Sequence, residues 1–190
     1  MPTKIVGRLI GMRTKEGELR NNYEDIVSLH SERVYNLALR MLGNREDAEE
    51  ATQDVFVRVF RSMESFRGDS SLSTWIWRIT TNVCITRRKK KKIESVSMEN
   101  AEIDPPDGQI ENSSRQEKSL YDHERYKMIN RYISLLPPNE SAAITLFYLE
   151  CLSYEEISEI LKLPIGTVSI ALHRGRRRLG EMLRKKREEL

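Results

Sequence analysis

Residues 153–179, Ser-Tyr-Glu-Glu-Ile-Ser-Glu-Ile-Leu-Lys-Leu-Pro-Ile-Gly-Thr-Val-Ser-Ile-Ala-Leu-His-Arg-Gly-Arg-Arg-Arg-Leu, constrain this chain more than any other stretch. Ser153 followed three residues later by Glu156 is a capping-box pattern, in which each side chain satisfies an orphan backbone donor of the other. Ile157, Ile160 and Leu161 then supply an apolar stripe, so a short helix starts at Ser153. Pro164 cannot continue it, and Ile165-Gly166-Thr167 is expected to reverse the chain before Val168, Leu172, Gly175 and Leu179 recur at a helical period. That is the outline of a helix-turn-helix. Between its apolar positions the second helix carries Thr167, Ser169, Ile170, His173, Arg174, Arg176 and Arg177. Hydroxyls followed by cations suit the major groove and its phosphates. Basic-faced helix pairs also occur in plain bundles, but the cap, the turn and the arginine run together favour DNA.

The totals leave room for little else. A chain of 190 residues with 38% hydrophobic content builds one ordinary domain or two small ones. The net charge of +3 is a feeble sign of nucleic acid, so the distribution of charge has to carry the argument. Cys84 and Cys151 stand alone inside apolar helical patterns, with no spacing suited to zinc, and are read as buried, reduced thiols. No cofactor or metal is expected. No window reaches about 18 consecutive apolar residues, so no membrane insertion is expected and the chain is read as soluble and cytoplasmic.

Along the chain, residues 1–21 form a lead-in of uncertain structure. Ile26, Val27, Val34, Leu37, Ala38, Met41 and Leu42 mark a first helix over about 22 to 42, which Gly43 is placed to end in a left-handed cap. Asn44 then caps a second helix with acids in its first turns, where they complement the helix dipole. Its core side is Ala48, Thr52, Val55, Val59 and Met63; the other side shows Glu50, Gln53, Asp54 and Arg58, which composition alone would read as a solvated face. A loop over 65–70 leads to a third helix near Ser71, with Leu72, Ile76, Ile79 and Val83 inward and both tryptophans aboard. One of Trp75 and Trp77 is expected to be partly exposed. The helix ends in six successive cations, Arg87 to Lys92, whose mutual repulsion calls for a polyanion. Rings, Asn82 and lysines along one helix suit single-stranded nucleic acid, because bases stack on rings while cations follow the backbone.

Composition then shifts. Acids, Pro105-Pro106 and a Ser/Asn cluster over about 94–118 read as an extended acidic linker. Helical periodicity resumes from Leu120 to Leu136, breaks at Pro137-Pro138, and resumes from Asn139. No strand-like alternation appears, so the expected fold class is all-α, two small helical domains (22–93 and 119–190) joined by a flexible linker.

This layout resembles the extracytoplasmic-function class of bacterial sigma factors, the σ70-family initiation factors with only σ2 and σ4 domains. The resemblance spans about 22 to 185 and rests on three stretches in the expected order: Arg33 to Ala38 with Asp47 to Phe56; Phe66-Arg67-Gly68 with Ser73 to Ile79 and Asn82; and Ser153 to Leu179. It implies that Asp47, Glu50, Gln53, Asp54 and Arg58 dock on the β′ clamp helices of core RNA polymerase, which reverses the solvated-face reading. It implies −10 promoter contacts for Phe66, Arg67, Ser73, Thr74, Trp75, Asn82, Arg87 and Arg88, with a base flipped from the non-template strand held near Phe66 and Asn82. Reading an unpaired base in this way couples recognition to melting. Contacts to the −35 element fall to Thr167, Ser169, Ile170, His173, Arg174, Arg176 and Arg177, with the β flap as a further partner of that domain. The linker would thread the polymerase channel, and an anti-sigma factor is an expected partner.

Two departures qualify the match. Thr86 stands where the family often has Asp, and Ser169-Ile170-Ala171 stands where it often has cations, which predicts weaker −35 affinity. A dimeric helix-turn-helix regulator of duplex DNA would explain residues 120–190 but leave the third helix without work. An enzyme such as a recombinase is disfavoured, since His30, His123 and His173 form no catalytic or metal-ligand pattern.

Overall fold

The computed structural model describes residues 16–66, 68–97 and 120–188. Seven α-helices account for them: α1 (Glu16–Leu42), α2 (Arg45–Ser62), α3 (Leu72–Ser97), α4 (Leu120–Leu135), α5 (Pro138–Tyr148), α6 (Tyr154–Leu161) and α7 (Ile165–Glu188), with a 3₁₀ turn at Met63–Ser65. Among the described residues there is no strand, and no helix is long and apolar enough to cross a membrane.

Local chemistry sets the first reversal. Gly43 takes φ +84° and its N–H donates to the Leu39 carbonyl at 2.8 Å, closing α1 in the left-handed conformation that glycine adopts without a Cβ clash. Asn44 follows in extended geometry, and its side chain accepts from the Asp47 N–H at 2.8 Å, opening α2. Two residues thus fold α2 back on α1. The buried faces of α1 (Val34, Leu37, Ala38, Met41), α2 (Ala48, Ala51, Val55, Val59) and α3 (Ile76, Trp77, Val83) meet in one core, each large aliphatic contributing up to about 1.5–3 kcal/mol.

The C-terminal helices are arranged around α5. Seven consecutive residues, Glu140 to Leu146, are buried, so this helix is covered on every side. Small side chains at Ser141, Ala142 and Ala143 admit close neighbours, and the Thr145 hydroxyl donates to the Ser141 carbonyl at 2.9 Å. On α7, Gly175 faces α5 so tightly that a Cβ there would lie 2.8 Å from Cγ1 of Ile144. The Ser153–Glu156 capping box is fully formed at the start of α6. The two halves also touch: α1 packs on α4 and α5, and α3 packs on α5 and α6.

Several expectations need correction. The first helix begins at Glu16, inside the stretch assigned to the lead-in, and α3 runs to Ser97, into the stretch assigned to the linker; residues 98–119 lie outside the described residues. Both Trp75 and Trp77 are buried, because α3 is enclosed by α1, α2 and the C-terminal helices. Cys84 is buried, and burial pushes its thiol up to about 12, but Cys151 is exposed in the turn after α5 at φ +55°. The turn of the helix-turn-helix is made at Lys162, a left-handed residue at φ 53°, while Ile165 and Gly166 already belong to α7.

Candidate nucleic-acid interface

Three surfaces carry the residues singled out by sequence. On α2, Asp47, Glu50 and Asp54 recur at helical spacing on one side, with Gln53 and Arg58 exposed beside them. These carboxylates already have partners from α3. Arg87 reaches Glu50 at 2.8 Å and Asp54 at 2.5 Å, and Lys91 pairs with Asp47. Burial pushes Asp47 up, but the hydrogen bonds from Lys91 and Asn44, with the charges of Lys91 and Arg87, outweigh it and hold the group below its ordinary value. Burial works against the charge of Arg87, and its bonds to Asp54 and Glu50 more than restore it. Sequence reasoning missed that the exposed surface of α2 is partly apolar: Val57 and Phe60 are 46% and 48% exposed. Val57 follows Gln53 by one helical turn, and that spacing was the available signal.

The second surface is the loop before α3 and the exposed side of that helix. The Phe66 and Trp75 rings lie with centroids 5.0 Å apart, tilted by 39°. They line a cleft of about 280 Å³ with Ser65, Asp69, Ser70 and Arg78, whose far wall is Glu159 and Lys162 of α6. Asn82 and Thr86 are exposed one turn apart, followed by exposed Lys89 and Lys90. The other assigned residues are placed differently. Thr74 is buried and belongs to the helix start: its N–H donates to the Ser71 hydroxyl at 3.0 Å and its own hydroxyl lies 2.8 Å from it. Ser73 is half-buried, and Arg67 lies outside the described residues. The expected phosphate contact at Arg87 is turned towards α2 instead. Arg88 points the other way and donates to the Leu136 carbonyl, between α4 and α5, at 2.6 Å. A helix turns about 100° per residue, so consecutive cations cannot share one face.

The third surface is α7. Thr167, Ser169, Ile170, His173, Arg174, Arg176 and Arg177 are all exposed, while Val168, Ala171, Leu172 and Gly175 form the buried side. Arg176 is steadied by the Leu172 carbonyl at 3.3 Å and the Tyr148 hydroxyl at 3.4 Å, and Arg177 lies 3.6 Å from Glu181. Arg178 is different: it turns inward to Glu140 at 3.4 Å. The outward row therefore begins neutral and hydroxylated and becomes cationic within two turns. Such a row can follow base edges first and phosphates after.

Comparison with known proteins places these surfaces in a family. Residues 26–93 match Sigma-70 region 2 and residues 126–179 match Sigma-70 region 4. The ECF RNA polymerase sigma factor SigW of Bacillus subtilis is 34% identical over 178 residues, covering 90% of this chain and 94% of that protein. The ECF RNA polymerase sigma factor SigE of Mycolicibacterium smegmatis is 36% identical over 174 residues, 88% of this chain and 64% of that protein. Among solved structures, the sigma factor RpoE in complex with the anti-sigma factor NepR from Bartonella quintana superposes with a TM-score of 0.64 at 21% identity, over 86% of this chain and 97% of that one. The chain belongs to the extracytoplasmic-function family of RNA polymerase sigma factors. That membership does not favour the dimeric duplex-binding regulator.

Proposed function

We propose that the three surfaces divide the work of promoter recognition and opening. The exposed side of α2, with Glu50, Gln53, Asp54 and Arg58 and its apolar extension at Val57 and Phe60, docks on the β′ clamp helices of core RNA polymerase. The cleft at Phe66 and Trp75, with Asn82 on the following helix, takes a base of the non-template strand at the −10 element. The outward row of α7 reads the −35 duplex, and the C-terminal helices meet the β flap. The helices over 16–97 and those over 120–188 act as the two units, with the residues between them as their tether. An anti-sigma factor covering the polymerase-docking surfaces completes the set of partners.

The observation that carries this reading is the complete segregation of α7: every residue assigned to DNA is exposed and every intervening apolar residue is buried. The test is transcription in vitro by core polymerase, with and without the protein, on a promoter library; specific run-off product is expected. Glu50→Gln with Asp54→Asn should weaken polymerase binding at least about tenfold, or about 1.4 kcal/mol, with helicity unchanged. Neutralisation is preferred to charge reversal, because new arginines would be driven against Arg87. Undiminished polymerase binding by the double variant would remove α2 as the docking face.

A further inference from the structure

Resting on the −35 assignment above and going beyond it, the outward face of α7 points to which base the protein chooses. Each residue turns an α-helix by about 100°, so Val168 and Leu172 lie about 160° from Ile170 on either side, and Gly175 about 140°. All three are buried, and Ile170 therefore stands on the line of α7 farthest from the core. It is 52% exposed there, a large apolar side chain outside the core. Its neighbours on that face are polar. Thr167 and His173 lie one turn before and after it, and Arg174 and Arg177 follow within about 40° of the same line.

A single surface isoleucine is ordinary in a globular protein, but the residues around this one set it apart. From Ile165 to His173 the helix carries no lysine, arginine, aspartate or glutamate, so the turns that enter a major groove first approach it without a charged side chain of those types. Thr167 and Ser169 present hydroxyls, which both donate and accept and so suit any base edge. A β-branched residue is also a poorer helix former than alanine or arginine, so helix formation does not account for it. What it supplies is a stiff apolar knob, held by its restricted χ1, at the centre of a polar face. Of the four bases only thymine shows an apolar group in the major groove, its 5-methyl. The donors and acceptors of the other bases would lose water against an isoleucine and gain no hydrogen bond in return. Ile165, also exposed, lies about 140° round the helix from Ile170 and cannot share its base.

We propose that Ile170 is a specificity-determining residue: it packs on the 5-methyl group of a thymine in the −35 duplex, and so selects an A·T pair in one orientation at the step facing the second turn of α7. Arg174 and Arg177, one and two turns further along the same line, take the phosphates that fix this register. Removing the buried methyl forfeits the transfer free energy of one small apolar group, which is about fourfold in affinity.

The test uses the full chain bound to core polymerase and a promoter duplex selected by transcription. Each thymine of the −35 element, on either strand, is replaced in turn by deoxyuridine, which removes the methyl and keeps every hydrogen-bonding group. Dissociation constants are measured by competition at fixed salt. One position should lose about fourfold with the wild-type chain. Ile170→Ala, an exposed change to the better helix former, should bind the thymine duplex as weakly as the wild type binds the uracil one, and should not distinguish the two. Cytosine at the same position should bind better when 5-methylated, again only with Ile170 in place. A cost below about 1.5-fold at every thymine, or one that survives unchanged in Ile170→Ala, overturns the assignment, as does a selected −35 element without an A·T pair. Arg174→Gln and Arg176→Gln are measured alongside. If neither weakens duplex binding or lowers its salt dependence, α7 is not the duplex reader and the underlying reading fails; if either does while uracil has no effect, the thymine contact alone fails.

Discussion

Adding one methyl group at Gly175 tests the packing that presents α7 to DNA. In Gly175→Ala the new Cβ would lie 2.8 Å from Ile144 Cγ1, 3.3 Å from its Cδ1 and 3.6 Å from Glu140 Cβ. Ile144 is 3% exposed, within a helix covered on all sides, so it has no free space into which to swing. Either Ile144 leaves its rotamer or α7 shifts outward, at a cost of about 1–3 kcal/mol. Alanine in a helix interior returns about 1 kcal/mol relative to glycine, leaving a net loss of about 0–2 kcal/mol. Gly180→Ala makes the same chemical change five residues along the same helix, where no atom lies within 4 Å, and should stabilise by about 1 kcal/mol. The two variants should therefore differ by about 1–3 kcal/mol in urea unfolding followed by circular dichroism. Ile144→Ala combined with Gly175→Ala should cost less than the sum of the two, because the clashing atoms are gone. If Gly175→Ala is as stable as Gly180→Ala, the close approach of α5 and α7 is not a constraint and the reasoning fails. Where α7 takes up the clash by shifting, duplex binding at −35 should fall in Gly175→Ala even though the protein remains folded.

Acid should weaken the fold in two stages. His30 is buried, and burial, then the charge of Arg33, lowers its pKa, so its contribution is complete above the ordinary histidine value of 6.5 and declines as pH falls below it. Asp47 is held below its ordinary value of 3.8, so its contribution is lost only as pH falls from there through the folded value. Urea midpoints against pH should show both stages, and Asp47→Asn should lack the lower one; an unchanged lower stage would refute the assignment. On α7, Ile170 is 52% exposed beside His173 and Arg174, whereas Ala171 is buried, so a cation added at the start of the reading helix belongs at 170. Ile170→Arg should tighten −35 duplex binding and steepen its logarithmic salt dependence by about 0.9; no change in either would count against α7 as the duplex reader.

Features written in neighbouring residues were legible in the sequence. The Ser153–Glu156 box, the Gly43-Asn44 reversal and the alternating exposure of α7 each depend on spacings within a turn or two, and the structure has all three. Features that depend on what a helix packs against were not legible. Nothing local says that α5 is enclosed on every side, or that α6 closes over the aromatic cleft. The run from Arg87 to Lys92 looks like one patch in sequence, yet helical rotation sends Arg87 and Lys91 to α2 and Arg88 to the C-terminal half. The acids of α2 thus supply part of the anion that the run required. Lys162 had no local signal for a left-handed turn, because Pro164 and Gly166 beside it were the stronger markers.

The enclosure of α5 has a consequence for how the molecule responds to climate. Part of its cover comes from α1 and α3, so separating the halves hydrates apolar surface and raises heat capacity. Association driven by such surface weakens on cooling, while the ion pair of Arg33 with Glu150 has no such dependence on apolar hydration. Cooling should therefore loosen the packing of α5 against α1 and α3 before it loosens the Arg33–Glu150 pair.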